Sequence, residues 1–292
     1  MNWQDYLNSV FDFTNYGELL PLFRDSILAG AVLGLVGGLI GTFVMMRDLA
    51  FAVHGIAELS FAGASFALLI GADVIAGSLV GSVLAALLLG VMGVRARGKN
   101  SVIGVIMPFG LGLGILFLSL YQGRAANKFG LLTGQIVSVD SNQLTVLAST
   151  ALVVILGLVA IWRPLTFASA DPDIAVARGV PVRALSLAFM FLLGISVALS
   201  IQVVGALLVL ALLITPAAAA LQVTAAPKMV VLLSVAFAMI STVGGIMLAL
   251  GGSIPISPYV TTLSFLIYVI ARVVGAVRRR RGWSARTSAA TA

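Results

Sequence analysis

Between residues 26 and 277 the chain alternates long apolar runs with short polar breaks. Each run is close to the ~20 residues that a helix needs to cross the hydrocarbon layer of a bilayer. The pattern predicts nine spanning helices, over 26–46, 51–71, 74–94, 101–121, 145–162, 184–200, 203–221, 229–250 and 258–277. The fourth contains Pro108, and the sixth and seventh are separated only by a kink near Gln202. Gly and Pro are tolerated in such helices when neighbours satisfy the freed backbone groups. The short alternating segments of a membrane β-barrel do not occur, so the fold class is all-α, a polytopic transmembrane helical bundle. The first run places Gly30, Gly34 and Gly38 four residues apart, with Gly37 and Gly41 offset. Small residues at that spacing let a second helix approach closely.

Composition sharpens this picture. The 292 residues are 61% hydrophobic and 9% charged, with a mean hydropathy of +1.15, whereas soluble domains carry about 25% charged residues. With no cysteine, disulfides, thiolate metal sites and a cysteine nucleophile are excluded. A net charge of +7 would suit a nucleic-acid partner, but its distribution instead describes a topology. With the C-terminal Arg278 to Arg281 in the cytoplasm and nine spans, 14 of the 17 Lys and Arg fall on the cytoplasmic side; Arg24, Arg124 and Lys128 remain outside. The opposite orientation would invert the positive-inside bias. An arginine run beside a span is a topology anchor that meets anionic lipid, not a nucleic-acid patch. Residues 1–25 read as an interfacial amphipathic segment without the cationic start of a signal peptide, residues 26–277 as the membrane domain, and residues 278–292 as a cytoplasmic basic tail whose small polar end after Arg281 is expected to be disordered.

Two stretches carry chemistry. In "AVHGIAELSFAG", residues 52 to 63, the chain's one histidine, His54, precedes Glu58 by one helical turn, so the two share a face. They lie roughly 10 and 16 Å beyond Arg47 at 1.5 Å per residue. Ionisable groups at membrane depth are costly and line cavities or pair with one another. Imidazole nitrogen with carboxylate oxygen suits a divalent first-row ion such as zinc or manganese; alternatively Glu58 only neutralises His54 as a structural pair. Further ligands would have to come from elsewhere, with Gln135, Asp140, Gln202 or water as candidates. The second stretch, "ASADPDIAVARGVPV", residues 168 to 182, is too short and too charged to span, yet is written as a helix. Asp171 suits the N-cap, Pro172 the first helical position, Asp173 the positive end of the dipole and Gly179 the stop. A short capped helix on the cytoplasmic face, with Arg178 near its end, is what a membrane domain needs to dock a soluble motor; an ordinary surface helix would read the same way.

The chain has no GxxxxGK[ST] loop for ATP, no HExxH motif and no serine nucleophile elbow. Its blocks "IGTFVMMRDLAFAVHGIAELSFAGASFALLIG", "DPDIAVARGV", "VVGALLVLALLITPAAAAL" and "VGGIMLALGGSIPISPYV" resemble, in order and over most of residues 26 to 275, the ABC-3 family, the permease subunits of zinc, manganese and iron ABC importers. The resemblance implies an ABC importer transmembrane domain in the inner (cytoplasmic) membrane, acting as a permease homodimer. It also implies a separate cytoplasmic ATP-binding subunit that hydrolyses ATP, an extracellular or periplasmic metal-binding protein, and no permanent cofactor. The transported ion would meet His54 and Glu58, and Asp171, Asp173, Arg178 and Gly179 would form the coupling helix. One departure matters: the family's second helix usually reads Gly-Asp-x-x-x-His, and here imidazole and carboxylate exchange places at the same spacing. Other readings are an ABC permease for a chelated metal such as a siderophore or cobalamin, a proton-coupled secondary carrier and an intramembrane hydrolase. The last two are opposed by the lack of an inverted repeat and of hydrolytic motifs.

The charge bias makes a direct prediction. A reporter active only in the cytoplasm should give signal when fused at residue 292 and none when fused after residue 73; the reverse pattern would overturn the orientation.

Overall fold

The computed structural model describes residues 16–93, 99–124, 131, 139–205, 208–250 and 255–290. Among these residues the chain is helical, in the order α1 (Tyr16–Leu22), α2 (Arg24–Met46), α3 (Ala50–Ile70), α4 (Val74–Gly93), α5 (Lys99–Leu120), α6 (Ser141–Ala170), α7 (Pro172–Ala177), α8 (Val182–Val204), α9 (Val209–Leu213), α10 (Thr215–Val223), α11 (Pro227–Ala249) and α12 (Ile256–Ala290). Eight of these helices are long and apolar enough to cross a membrane, and a shorter broken apolar piece runs over Val209–Val223. Taken as one crossing, α9 with α10 completes the nine expected. The chain is a multi-pass membrane protein.

Boundaries differ from the hydropathy pattern where a local rule outweighs it. The sixth helix continues to Val204 and the break falls at Gly205, with φ of 84°. Only glycine adopts that backbone cheaply, so the kink is at Gly205 and not near Gln202. A second interruption at Ile214 precedes Pro216. α6 is longer than its apolar core because Asp140 starts it with a capping box: its Oδ1 accepts from the Gln143 amide at 2.7 Å, and Gln143 Oε1 accepts from the Asp140 amide. The tail after Arg281, expected to be disordered, is helical as far as Ala290, in keeping with the helix propensity of arginine and alanine.

Two packing units meet in the bundle. In one, α2 lies along α11, and α11 packs with α10 and α12; in the other, α3 is held between α4 and α5, with α8 against α4. α6 touches α2 and α8 and so joins the two. Between helices as apolar as lipid, close approach and hydrogen bonding replace the hydrophobic effect as the source of specificity. Gly38 on α2 shows this. Its carbonyl accepts from Thr42 Oγ1 at 2.9 Å within the helix and from Ser234 Oγ of α11 at 2.8 Å. A Cβ there would lie 2.5 Å from the Val235 Cα. Elsewhere Ser196, Ser200 and Thr242 donate to carbonyls four residues earlier, which satisfies their hydroxyls inside the bundle.

Gly38→Val should therefore separate α2 from α11. Overpacking of this kind costs about 1–3 kcal/mol, and is expected to appear as a lower thermal midpoint of the protein in detergent. An unchanged midpoint would contradict the close contact.

Candidate functional site

The site begins with how α3 is held. Its backbone passes unusually close to both neighbours at residues 58 and 59. A Cβ on Gly110 of α5 would lie 3.0 Å from the Leu59 nitrogen and 3.1 Å from the Glu58 carbonyl carbon, and one on Gly81 of α4 would strike the Leu59 carbonyl oxygen. Ser60 Oγ bonds Ser78 of α4, reaching its carbonyl oxygen and its Oγ at 2.9 Å each. With both flanks fixed in this way, the face bearing His54 and Glu58 keeps a single orientation.

On that face His54 Nε2 stands 3.7 Å from Glu58 Oε1, with the histidine side chain 32% exposed and the glutamate 11%. This is longer than a hydrogen bond, which for N–H···O spans about 2.7–3.2 Å. It is close to the separation of about 3.4 Å between two donors on a tetrahedral ion with bonds near 2.1 Å. The structure thus brings the imidazole and the carboxylate side by side, with the histidine the more exposed of the two. His54 Nδ1 is buried without a hydrogen-bond partner among the described residues, as is Ser65 Oγ. Ser65 stands seven residues beyond Glu58 on α3, near the same angular position at 3.6 residues per turn. Because α3 begins only at Ala50, the two side chains sit four and eight residues into the helix, nearer its N-terminal end than a count from Arg47 suggests.

No group of three or more His, Cys, Asp or Glu side chains converges among the described residues. Asp140, one candidate, is committed to capping α6. Gln135 and the side chain of Gln202 lie outside the described residues.

The second predicted element has the expected geometry throughout. Asp171 caps α7, its Oδ1 accepting from the Ile174 amide at 2.9 Å, with Pro172 at the first helical position and Asp173 in the first turn. Arg178 is the C-cap residue, and Gly179 follows with φ of 76°. The Gly179 amide donates to the Val176 carbonyl at 2.9 Å and the Val180 amide to the Ala175 carbonyl at 3.0 Å, the two bonds of a Schellman stop. Ala175 is fully buried against Ala168 of α6 and Leu185 of α8, while Ile174 and Val176 are 50% and 60% exposed. The helix is seated by one alanine and shows two apolar side chains outward.

One residue that pattern reading treats only as a topology charge proves to be structural as well. Arg47, the C-cap of α2, donates to Ser169 Oγ at 3.3 Å and to Ser186 Oγ. Its guanidinium carbon stands 5.8 Å from the centre of the Phe189 ring, and burial lowers its pKa from the usual guanidinium value. Its partners are 122 and 139 residues away in sequence, so no local pattern announces them.

Comparison with known proteins gives a consistent set of likenesses. The model of a family described as the ABC 3 transport family matches residues 20–275. Over 224 residues the chain is 30% identical to the manganese transport system membrane protein MntC of Halalkalibacterium halodurans, covering 76% of this chain and 77% of that one. It is 24% identical over 258 residues to the high-affinity zinc uptake system membrane protein ZnuB of Haemophilus influenzae, covering 87% and 97%. A solved structure, PsaBC from Streptococcus pneumoniae in complex with Fab, shares the fold with a TM-score of 0.79 at 22% identity, covering 89% of this chain and 95% of that one.

The Schellman stop can be probed on its own. Gly179→Val forces a β-branched residue into positive φ, a strain of about 1–3 kcal/mol. Amide exchange over 174–180 should accelerate roughly tenfold or more, and Gly179→Asn should have a smaller effect because asparagine tolerates that region. Wild-type exchange in the valine variant would contradict the stop.

Proposed function

The chain belongs to the ABC 3 transport family, and we propose that it is the membrane permease of an ATP-driven importer whose substrate is a divalent transition-metal ion, zinc, manganese or iron. The observation that carries the metal reading is the His54–Glu58 pair, two donors at ion-bridging separation on one face of a helix inside the bundle. The manganese and zinc systems named among its relatives support the same substrate class. In this reading the ion reaches the pair as a partly dehydrated cation. The neutral imidazole of His54 and the ionised carboxylate of Glu58 replace part of its water shell, and the remaining positions keep water or face a second copy of the permease. Exchange of the order of the two residues relative to the family's usual motif conserves the donor set, one nitrogen and one oxygen, and with it the borderline character that suits such ions.

The chain carries no ATP-binding loop, so the work comes from a separate cytoplasmic ATPase subunit. Its docking surface is α7, where the exposed Ile174 and Val176 offer an apolar grip beside Asp173 and Arg178. An extracellular or periplasmic metal-binding protein delivers the ion from the other side of the inner membrane, and two permeases assemble around the path.

The pair's role and a purely structural one separate on mutation. His54→Ala and Glu58→Gln are each expected to abolish metal uptake while leaving folded protein in the membrane, and uptake by the wild type should weaken as the medium is acidified through the range in which histidine protonates, because a protonated imidazole has no lone pair to give. If the pair were structural, stranding one charge would destabilise by about 3–5 kcal/mol, and His54→Leu with Glu58→Leu would restore both folding and uptake. On the metal reading that double variant folds and stays dead. Wild-type uptake of manganese and zinc by the Leu/Leu protein at matched expression would sink the site. Uptake of a chelated metal alone by the wild type would instead favour a chelate permease.

A further inference from the structure

Arg47 sits at the one place where α2, the start of α3 and both ends of the coupling-helix hairpin come together. Ser169, which accepts one of its bonds, is two residues before Asp171, and Ser186, which accepts the other, lies in the opening turns of α8. Ser169 is itself anchored by donating to the Leu165 carbonyl at 2.6 Å. Beneath the guanidinium, Phe189 of α8, Phe43 of α2 and Trp162 of α6 form an aromatic cluster, with Phe43 edge-to-face on Trp162 at 4.9 Å and tilted against Phe189 at 6.0 Å. The arginine therefore closes the cytoplasmic end of a three-helix contact from which α7 hangs. Among the described residues no carboxylate pairs with it. A cation held by two hydroxyls and a ring face is directional, yet lacks the opposite charge that would fix it permanently.

Immediately beyond it the chain turns sharply. Asp48 has φ of 53°, among the described residues the only non-glycine in that region. Leu49 is buried, its amide bonded to the Val44 carbonyl at 2.9 Å, and α3 starts at Ala50. The turn is thus short and internally hydrogen-bonded, which places Arg47 three residues before the first turn of α3 and seven before His54. Along their lengths α2 and α3 scarcely touch, so this junction is their principal link. A second route from α7 runs through α8, which packs on α4.

We propose that Arg47 is a positioning residue for transport: it locks the α2–α3 junction to the helices flanking α7, so that displacement of α7 by the ATPase moves the His54–Glu58 end of α3. The inference rests on the permease reading above and concerns how that reading is driven. The hydroxyl acceptors suit such a tie, since water can replace either of them during each stroke.

The test uses the permease in complex with its ATPase subunit in proteoliposomes, following ATP hydrolysis together with uptake of manganese(II), zinc(II) and iron(II). The chain has no native cysteine, so spin labels at Phe51→Cys and Leu152→Cys, both exposed in the structure, report the position of the start of α3 against the outer half of α6. In the wild type this distance should change on trapping with ATP and vanadate. Arg47→Met should keep hydrolysis within about twofold of wild type, lower uptake per ATP about tenfold, a typical scale for coupling between sites, and abolish the distance change. Arg47→Lys, which keeps the charge but not the fork, should be intermediate. If Arg47→Met fails to assemble, Ser169→Ala with Ser186→Ala removes the acceptors and should give the same uncoupling. Wild-type uptake per ATP, or an undiminished distance change, in whichever of these assembles would overturn the proposal. A wild-type complex that takes up none of manganese(II), zinc(II) and iron(II), yet shows a distance change that Arg47→Met abolishes, would leave the tie standing and refute the metal reading instead.

Discussion

An ionised side chain within the hydrocarbon layer costs several kcal/mol even after local water and neighbouring residues adjust. This chain, with 17 Lys and Arg and 10 Asp and Glu in 292 residues, keeps almost all of them at helix ends and in loops. His54 and Glu58 are placed inside the bundle against that cost. The rest of the fold can be understood as the scaffold that keeps them there: α4 and α5 meet the α3 backbone through Gly81 and Gly110, so that the helix cannot roll and turn the pair toward lipid. The 3.7 Å separation leaves the two groups adjacent without letting them satisfy each other fully, a state that a cation between them would complete.

The remainder of the molecule answers a mechanical problem. In the permease reading proposed here, a motor outside the membrane would have to move groups within it, through elements stiff enough to carry the motion. α7 is short but closed at both ends, by the Asp171 cap and by the stop at Gly179. It is seated through Ala175 on α6 and α8. Close packing transmits displacement instead of absorbing it, and on the proposed reading the aromatic cluster of Phe43, Trp162 and Phe189 would carry such a displacement from α6 and α8 into the bundle. α2 runs from there along α11, held by the Gly38 carbonyl that two hydroxyls share.

Much of this was legible in the sequence because it depends on local rules. Apolar length gave the spans, and i to i+4 spacing put His54 beside Glu58. The composition of residues 171–179 specified a helix whose cap and stop the structure reproduces bond for bond. Where the reading went astray, the deciding term was not hydropathy. The break at Gly205 follows from a positive φ, which an apolar run does not reveal, and α6 extends past its apolar core because Asp140 and Gln143 cap it. Asp140, a ligand candidate by residue type, has one carboxylate oxygen engaged in capping α6, a use that residue type alone does not reveal. Arg47 was visible as a charge and invisible as a tie, since its acceptors are serines more than a hundred residues away. The His54–Glu58 pair is legible but a complete coordination shell is not, because donors from water or from a second subunit would not be encoded at a spacing that one chain displays.

The most direct measurement is anomalous X-ray diffraction from crystals of the permease grown with manganese or zinc, collected on either side of the metal's absorption edge. A peak between His54 Nε2 and Glu58 Oε1, about 2.0–2.2 Å from each as coordinated zinc requires, and missing from crystals of Glu58→Gln, is the expected result. A map with the two side chains closed on each other and the anomalous density elsewhere in the bundle would contradict the assignment of this pair to the ion.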